Sequence, residues 1–217
     1  MDRKEILNKI KEFSPWYHNI DLGNGIWTGG FKGEPEKSYK CTGLLNAIPK
    51  DLTGKTVLDL GCNAGFFSLI CKERGAKYVL GIDYGDVNIE RAKFCANVRN
   101  LDIEYRLMSV YDVSSLNQKF DLVLFIGLLY HLEHDKYKKV LDDVSELCKD
   151  IIIFETIGYT TELKNPIPMV LKVDDTEVCG HQHMNVAAIE EALTTRGFKH
   201  VSPIFVGGRT AYIGRKV

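Results

Sequence analysis

Thr56-Val57-Leu58-Asp59-Leu60-Gly61-Cys62-Asn63-Ala64-Gly65-Phe66-Phe67-Ser68-Leu69 passes from strand to glycine turn to helix within fourteen residues. Thr56 to Leu60 alternates and then turns continuously apolar, as a strand covered on both faces does, and Gly61 and Gly65 bracket a turn that side chains would obstruct. Phe66, Phe67, Leu69 and Ile70 open a helix. A strand, a tight turn and a helix start put free backbone N–H groups at the carboxyl edge of a sheet, where α/β proteins bind ligands. Neither a Gly-Lys-Ser/Thr ending nor a third glycine is present, so the turn is neither a phosphate loop nor the dinucleotide fingerprint. Asp59, just before the first glycine, would repel a pyrophosphate and suit a cationic ammonium group.

A chain of 217 residues is long enough for one α/β domain with a substantial core, and composition gives no sign of a second. With 28 basic and 29 acidic residues the formal charge is −1, which supplies no global positive field for nucleic acid and favours a small or neutral substrate. Six scattered cysteines without a Cys-x-x-Cys pair read as free thiols of a reducing compartment. No apolar run approaches a membrane span, so a soluble, cytoplasmic protein without a membrane partner is expected.

Outward from the central strand, Ile6, Leu7, Ile10 and Phe13 stripe one side of a helix over 3–13, ended by Ser14-Pro15. Both tryptophans, Trp16 and Trp27, follow in a glycine-rich segment that either caps the core or lids a pocket. A helix over 39–48 leads to the central strand, 56–60. Beyond it come helix 64–74, strand 78–82, helix 86–99, strands 103–108 and 120–126, helix 135–148 and strand 150–156. After the proline-rich Asn165-Pro166-Ile167-Pro168, a helix over 186–196 and two strands, 198–206 and 210–215, flank Gly207-Gly208, a hairpin signal. This alternation predicts a mostly parallel sheet with helices on both faces.

Asp59-x-Gly61-x-x-x-Gly65 resembles the first motif of class I S-adenosylmethionine-dependent methyltransferases. That resemblance implies a Rossmann-like sheet of seven strands, the last antiparallel, over residues 39–217, with residues 1–38 as an N-terminal helical and loop cap. It also implies S-adenosyl-L-methionine as cofactor, lying on the glycine turn with its amino group held by Asp59; Asn63 stands where many members carry a third glycine. Asp83 ends the second strand about twenty residues after the turn, placed to accept hydrogen bonds from the two hydroxyls of a ribose. In the family the residue after the third strand brackets the adenine, here Ser109-Val110. Tyr84 and Gly127 complete the expected cofactor set.

The segment Gly127-Leu128-Leu129-Tyr130-His131 and Phe154-Glu155-Thr156 are similar to the branch that contains the tRNA wobble-uridine carboxymethyltransferases, in which the tyrosine, here Tyr130, helps bind a carboxylated cofactor. Where those enzymes have a Lys-Gly-Pro-Phe type segment, this chain has Thr28-Gly29-Gly30-Phe31-Lys32-Gly33, and the distal arginine has no counterpart. Without those cations a carboxylate lacks charge partners, so plain S-adenosylmethionine and an ordinary methyl group are expected. For a hydroxyl acceptor a base must remove a proton, and a histidine suits that near neutral pH. His131 and His183 are the candidate bases, with Glu155 orienting or substituting. A metal held by His181, His183 and Glu155 or His131 is a weaker alternative, and no metal is expected. The leading expectation is methyl transfer to an oxygen or nitrogen of a small molecule. The alternatives are a tRNA-modifying enzyme and a non-catalytic cofactor-binding module.

Overall fold

The computed structural model describes residues 1–30, 39–133, 135–156, 167–173, 176–183, 186–206 and 209–216. Its helices are α1 (Arg3–Glu12), α2 (Tyr39–Ala47), α3 (Phe66–Glu73), α4 (Asp86–Val98), α5 (Tyr137–Leu147) and α6 (Val186–Thr194). Its strands are β1 (Thr56–Leu60), β2 (Tyr78–Asp83), β3 (Glu104–Leu107), β4 (Phe120–Ile126), β5 (Cys148–Thr156), β6 (Ile167–Val173), β7 (Thr176–His183), β8 (Phe198–Val206) and β9 (Arg209–Lys216). Seven strands form one mixed sheet in the order β3-β2-β1-β4-β5-β9-β8. Strand β9 runs antiparallel to both of its neighbours, and the pairs β1–β2, β2–β3 and β4–β5 are parallel, as the alternation predicted. Contacts divide the chain into two compact units, residues 1–109 and 110–217.

In the first unit the central strand is buried from Val57 to Leu60, and α3 and α4 cover β1, β2 and β3. The helix expected from residue 64 begins at Phe66, because Gly65 is its N-cap with φ +80°. The N-terminal segment is fixed to this unit by aromatic packing. Trp16 is 2 % exposed, packs edge to face on Phe13 and donates its indole N–H to the Ile10 carbonyl at 2.8 Å. Phe94 of α4 lies within 6.3 Å of both rings, and Ile20, Leu22 and Ile26 of the same segment are buried. Trp16 therefore caps the core, while Trp27, partly exposed, lines a crevice of about 130 Å³ between residues 19–27 and α3. Small-molecule sites occupy about 300 Å³ or more, so this crevice is no acceptor pocket.

In the second unit Phe125 and Phe154 stack in parallel at 4.8 Å between β4 and β5. Strands β6 and β7 form a separate hairpin, in a region the sequence marks only by its prolines. Pro168 pairs with Gln182 there, and a two-stranded ribbon has the open edges on which a residue without an N–H is tolerated. No helix among the described residues is long and apolar enough to cross a membrane.

Candidate functional site

The glycine turn is organised by two acids and an aromatic ring from three successive strands. Asp59 of β1 pairs in register with Gly81 of β2, is 2 % exposed, and accepts a 2.5 Å hydrogen bond on Oδ2 from the hydroxyl of Ser68 in α3. Burial pushes its carboxyl up to about 6; the Ser68 bond opposes that rise and the nearby charge of Asp83 adds to it. Among the described residues, the groups acting on the buried carboxylate are the Ser68 hydroxyl and the like charge of Asp83, which suits a bound ammonium group.

After Asp59 the chain bends through Gly61 (φ +66°), Asn63 (φ +50°) and Gly65 (φ +80°). Asparagine is among the side chains that tolerate the left-handed region best. Its Oδ1 accepts the Ala64 N–H at 2.7 Å, which stabilises the turn locally. Its own backbone N–H donates to Asp83 Oδ2 at 2.9 Å, so the end of β2 holds the turn that follows β1.

Tyr105 of β3 lies under this turn. A Cβ at Gly81 would sit 2.7 Å from two carbons of the Tyr105 ring, and one at Gly65 would run into its hydroxyl. Those two positions are glycine because the ring occupies the space. Neither Tyr105 nor Ser68 was singled out in the sequence, since each looks like an ordinary residue of its element and only the tertiary contact gives it a role.

Asp83 is 6 % exposed, and besides Asn63 it accepts on Oδ1 from the Gly85 N–H at 2.9 Å and from Asn88 Nδ2 at 3.1 Å. Tyr84 projects outward, 83 % exposed, and Leu107, in register with Asp83, is exposed on the same edge. Ser109 ends this unit, half-buried.

In the second unit Val110 opens a 3-10 stretch to Leu116. Gly127 (φ +67°) donates its N–H to the Glu155 carbonyl at 3.0 Å, and a 3-10 turn, Leu129–His131, follows. Tyr130 is buried and His131 exposed, their rings tilted at 4.4 Å. Both β5 and β7 pack against this turn. The structure therefore brings together the backbone segments that carry Tyr130, His131, Glu155 and His183. Glu155 is fully buried, and the side chains of His181 and His183 lie outside the described residues, as does His134.

Residues 35–202 match the family described as a methyltransferase domain. The chain belongs to that family. The family's cofactor is S-adenosylmethionine. Over 154 residues this methyltransferase domain is 28 % identical to a tRNA U34 carboxymethyltransferase of Campylobacter fetus subsp. fetus, a match covering 69 % of this chain and 51 % of that protein. Over 84 residues it is 37 % identical to a ubiquinone biosynthesis O-methyltransferase of Neisseria meningitidis serogroup C, covering 38 % and 35 %. The chain thus spans about half or less of the curated relatives it matches. Its fold is similar to that of the N-terminal domain of EvdMO1, solved with S-adenosylhomocysteine and D-fucose. The TM-score is 0.77 at 21 % identity, over 100 % of this chain and 98 % of that one.

Proposed function

We propose that this protein transfers a methyl group from S-adenosylmethionine to an oxygen or nitrogen of a small molecule. The observation that carries the reading is the Asn63 N–H bond to Asp83, which fixes two buried acids about one glycine turn. Asp59 would hold the amino group and Asp83 the ribose; Gly61, Asn63 and Gly65 would line the methionine part. Exposed Tyr84 would offer an apolar face to the adenine. The cofactor supplies a methyl group on an activated sulfonium. The protein's task is then to hold the acceptor for in-line attack and to take up its proton. His131, exposed on its turn, is the proposed base, with His183 as the second candidate. Tyr130, buried beside His131, would orient it, and fully buried Glu155 would position the chain rather than meet the acceptor. Residues 1–38 would act as a cap on the catalytic domain, 39–217, in a cytoplasmic protein.

The balanced net charge supports a small acceptor over a polyanion. The D-fucose in the EvdMO1 domain crystal is consistent with a small polar one. The tRNA U34 carboxymethyltransferase relatives support the second reading, a tRNA acceptor. Incubation with methyl-labelled cofactor, offered a metabolite extract or bulk tRNA in parallel, tests both. Label in the small-molecule fraction is expected. Label in tRNA would transfer the assignment to the second reading, and label in neither would leave a cofactor-binding module.

A further inference from the structure

Asp83 was expected to accept hydrogen bonds from both hydroxyls of a ribose, and the structure limits how many acceptor sites it has left. A carboxylate offers about four lone-pair sites, two on each oxygen. Oδ1 already accepts from the Gly85 N–H at 2.9 Å and from Asn88 Nδ2 at 3.1 Å, and Oδ2 accepts from the Asn63 N–H at 2.9 Å. Only Oδ2 has room for one further donor.

Two of these donors are main-chain groups of the turns that define the site. Asn88 is a side chain, and its orientation is set from the far side. Its Oδ1 accepts from Arg91 Nη1 at 3.4 Å, so the amide presents its NH₂ to Asp83. Arg91 is in turn fixed by the N-terminal segment. Its Nε and Nη2 both donate to the Phe13 carbonyl, at 2.9 and 2.6 Å, and its guanidinium lies 5.7 Å from the Trp16 ring centre. A continuous path therefore runs from the end of α1 through Arg91 and Asn88 to the acid at the end of β2.

We propose that Asn88, held by Arg91 against the N-terminal segment, is a positioning residue that restricts Asp83 to one hydroxyl of a ribose. The cofactor's second hydroxyl then contributes little to binding unless Asn88 is removed. Docking of α1 and binding of the nucleoside are coupled through the same amide. The inference rests on the proposed cofactor site and adds to it a rule for which part of the sugar is read.

The test is calorimetric titration of the whole chain with S-adenosylhomocysteine and with its 2′-deoxy and 3′-deoxy forms. In the wild type one deoxy form is expected to bind within about twofold of the parent and the other about tenfold or more weaker, the loss typical of a hydrogen bond to a charged acceptor. In Asn88→Ala, Oδ1 is released for the second hydroxyl, and both deoxy forms should lose about tenfold against the parent. Arg91→Lys, which cannot fork to Phe13 and Asn88 together, should follow Asn88→Ala. Ligands are compared on the same variant, so altered folding does not produce the pattern. Equal losses for both deoxy forms in the wild type would overturn the proposal, because Asn88 would then be swinging aside. An Asp83→Ala variant with wild-type affinity would instead overturn the cofactor assignment, and this inference with it.

Discussion

Asp59 should make cofactor affinity and folding stability respond to pH in opposite directions. Its folded-state pKa is raised to about 6, chiefly by burial, against about 3.9 for an unfolded aspartate. Because the folded pKa is the higher one, the native state binds the proton more tightly. The cost of burying the charge is absent below about pH 4, grows between about 4 and 6, and stays constant above. Two pH units correspond to about 3 kcal/mol of stability lost across that window. A ligand ammonium group needs the ionised form, so affinity for S-adenosylhomocysteine should be level above about pH 7 and about tenfold weaker at pH 5, where about a tenth of the carboxyls are ionised. Calorimetric titrations and urea melts at half-unit steps from pH 4.5 to 8 measure both trends. Asp59→Asn, compared at each pH, removes the contribution of the other carboxylates. The same pH dependence of affinity in wild type and Asp59→Asn would exclude the Asp59 charge from the ammonium site.

Gly81→Ala places a methyl group 2.7 Å from the Tyr105 ring and should cost about 1–3 kcal/mol in a denaturant melt, as overpacked cores do. Gly65→Ala adds a left-handed backbone to a collision with the Tyr105 hydroxyl, and Tyr105→Phe in the same chain should restore part of the loss; no recovery would show the strain to be purely conformational. Asp83→Ala should weaken cofactor binding by about 1.5–3 kcal/mol by calorimetry. Trp16→Ala should lower stability by about 3–5 kcal/mol and expose residues 14–30 to protease, since the ring is 2 % exposed and joins α1 to α4.

Most strands and helices could be read from hydrophobic period and punctuation, because each element carries its own pattern. The acid before Gly61 and the acid ending β2 were legible for the same reason: a strand end followed by a turn is a local signal, and the spacing joins two of them. What was not legible depends on contacts between elements. Tyr105 reads as one more aromatic in a strand, and Ser68 as a polar residue in a helix, until Gly81, Gly65 and Asp59 are seen around them. The hairpin β6–β7 went unread because prolines at its start mimic a loop. The pattern predicts the third helix from residue 64, two residues before it begins, since Ala64 and Gly65 continue an apolar run that only the left-handed Gly65 interrupts.

The position of Tyr105 beneath the bend has a consequence for engineering. The fingerprint around Gly61 and Gly65 is not a portable cassette: transplanted into another parallel sheet, it would keep its shape only if the outermost neighbour two strands away arrived with an aromatic plug at the matching height. A designer who copies the loop alone would inherit its glycines without the object they were shaped to avoid.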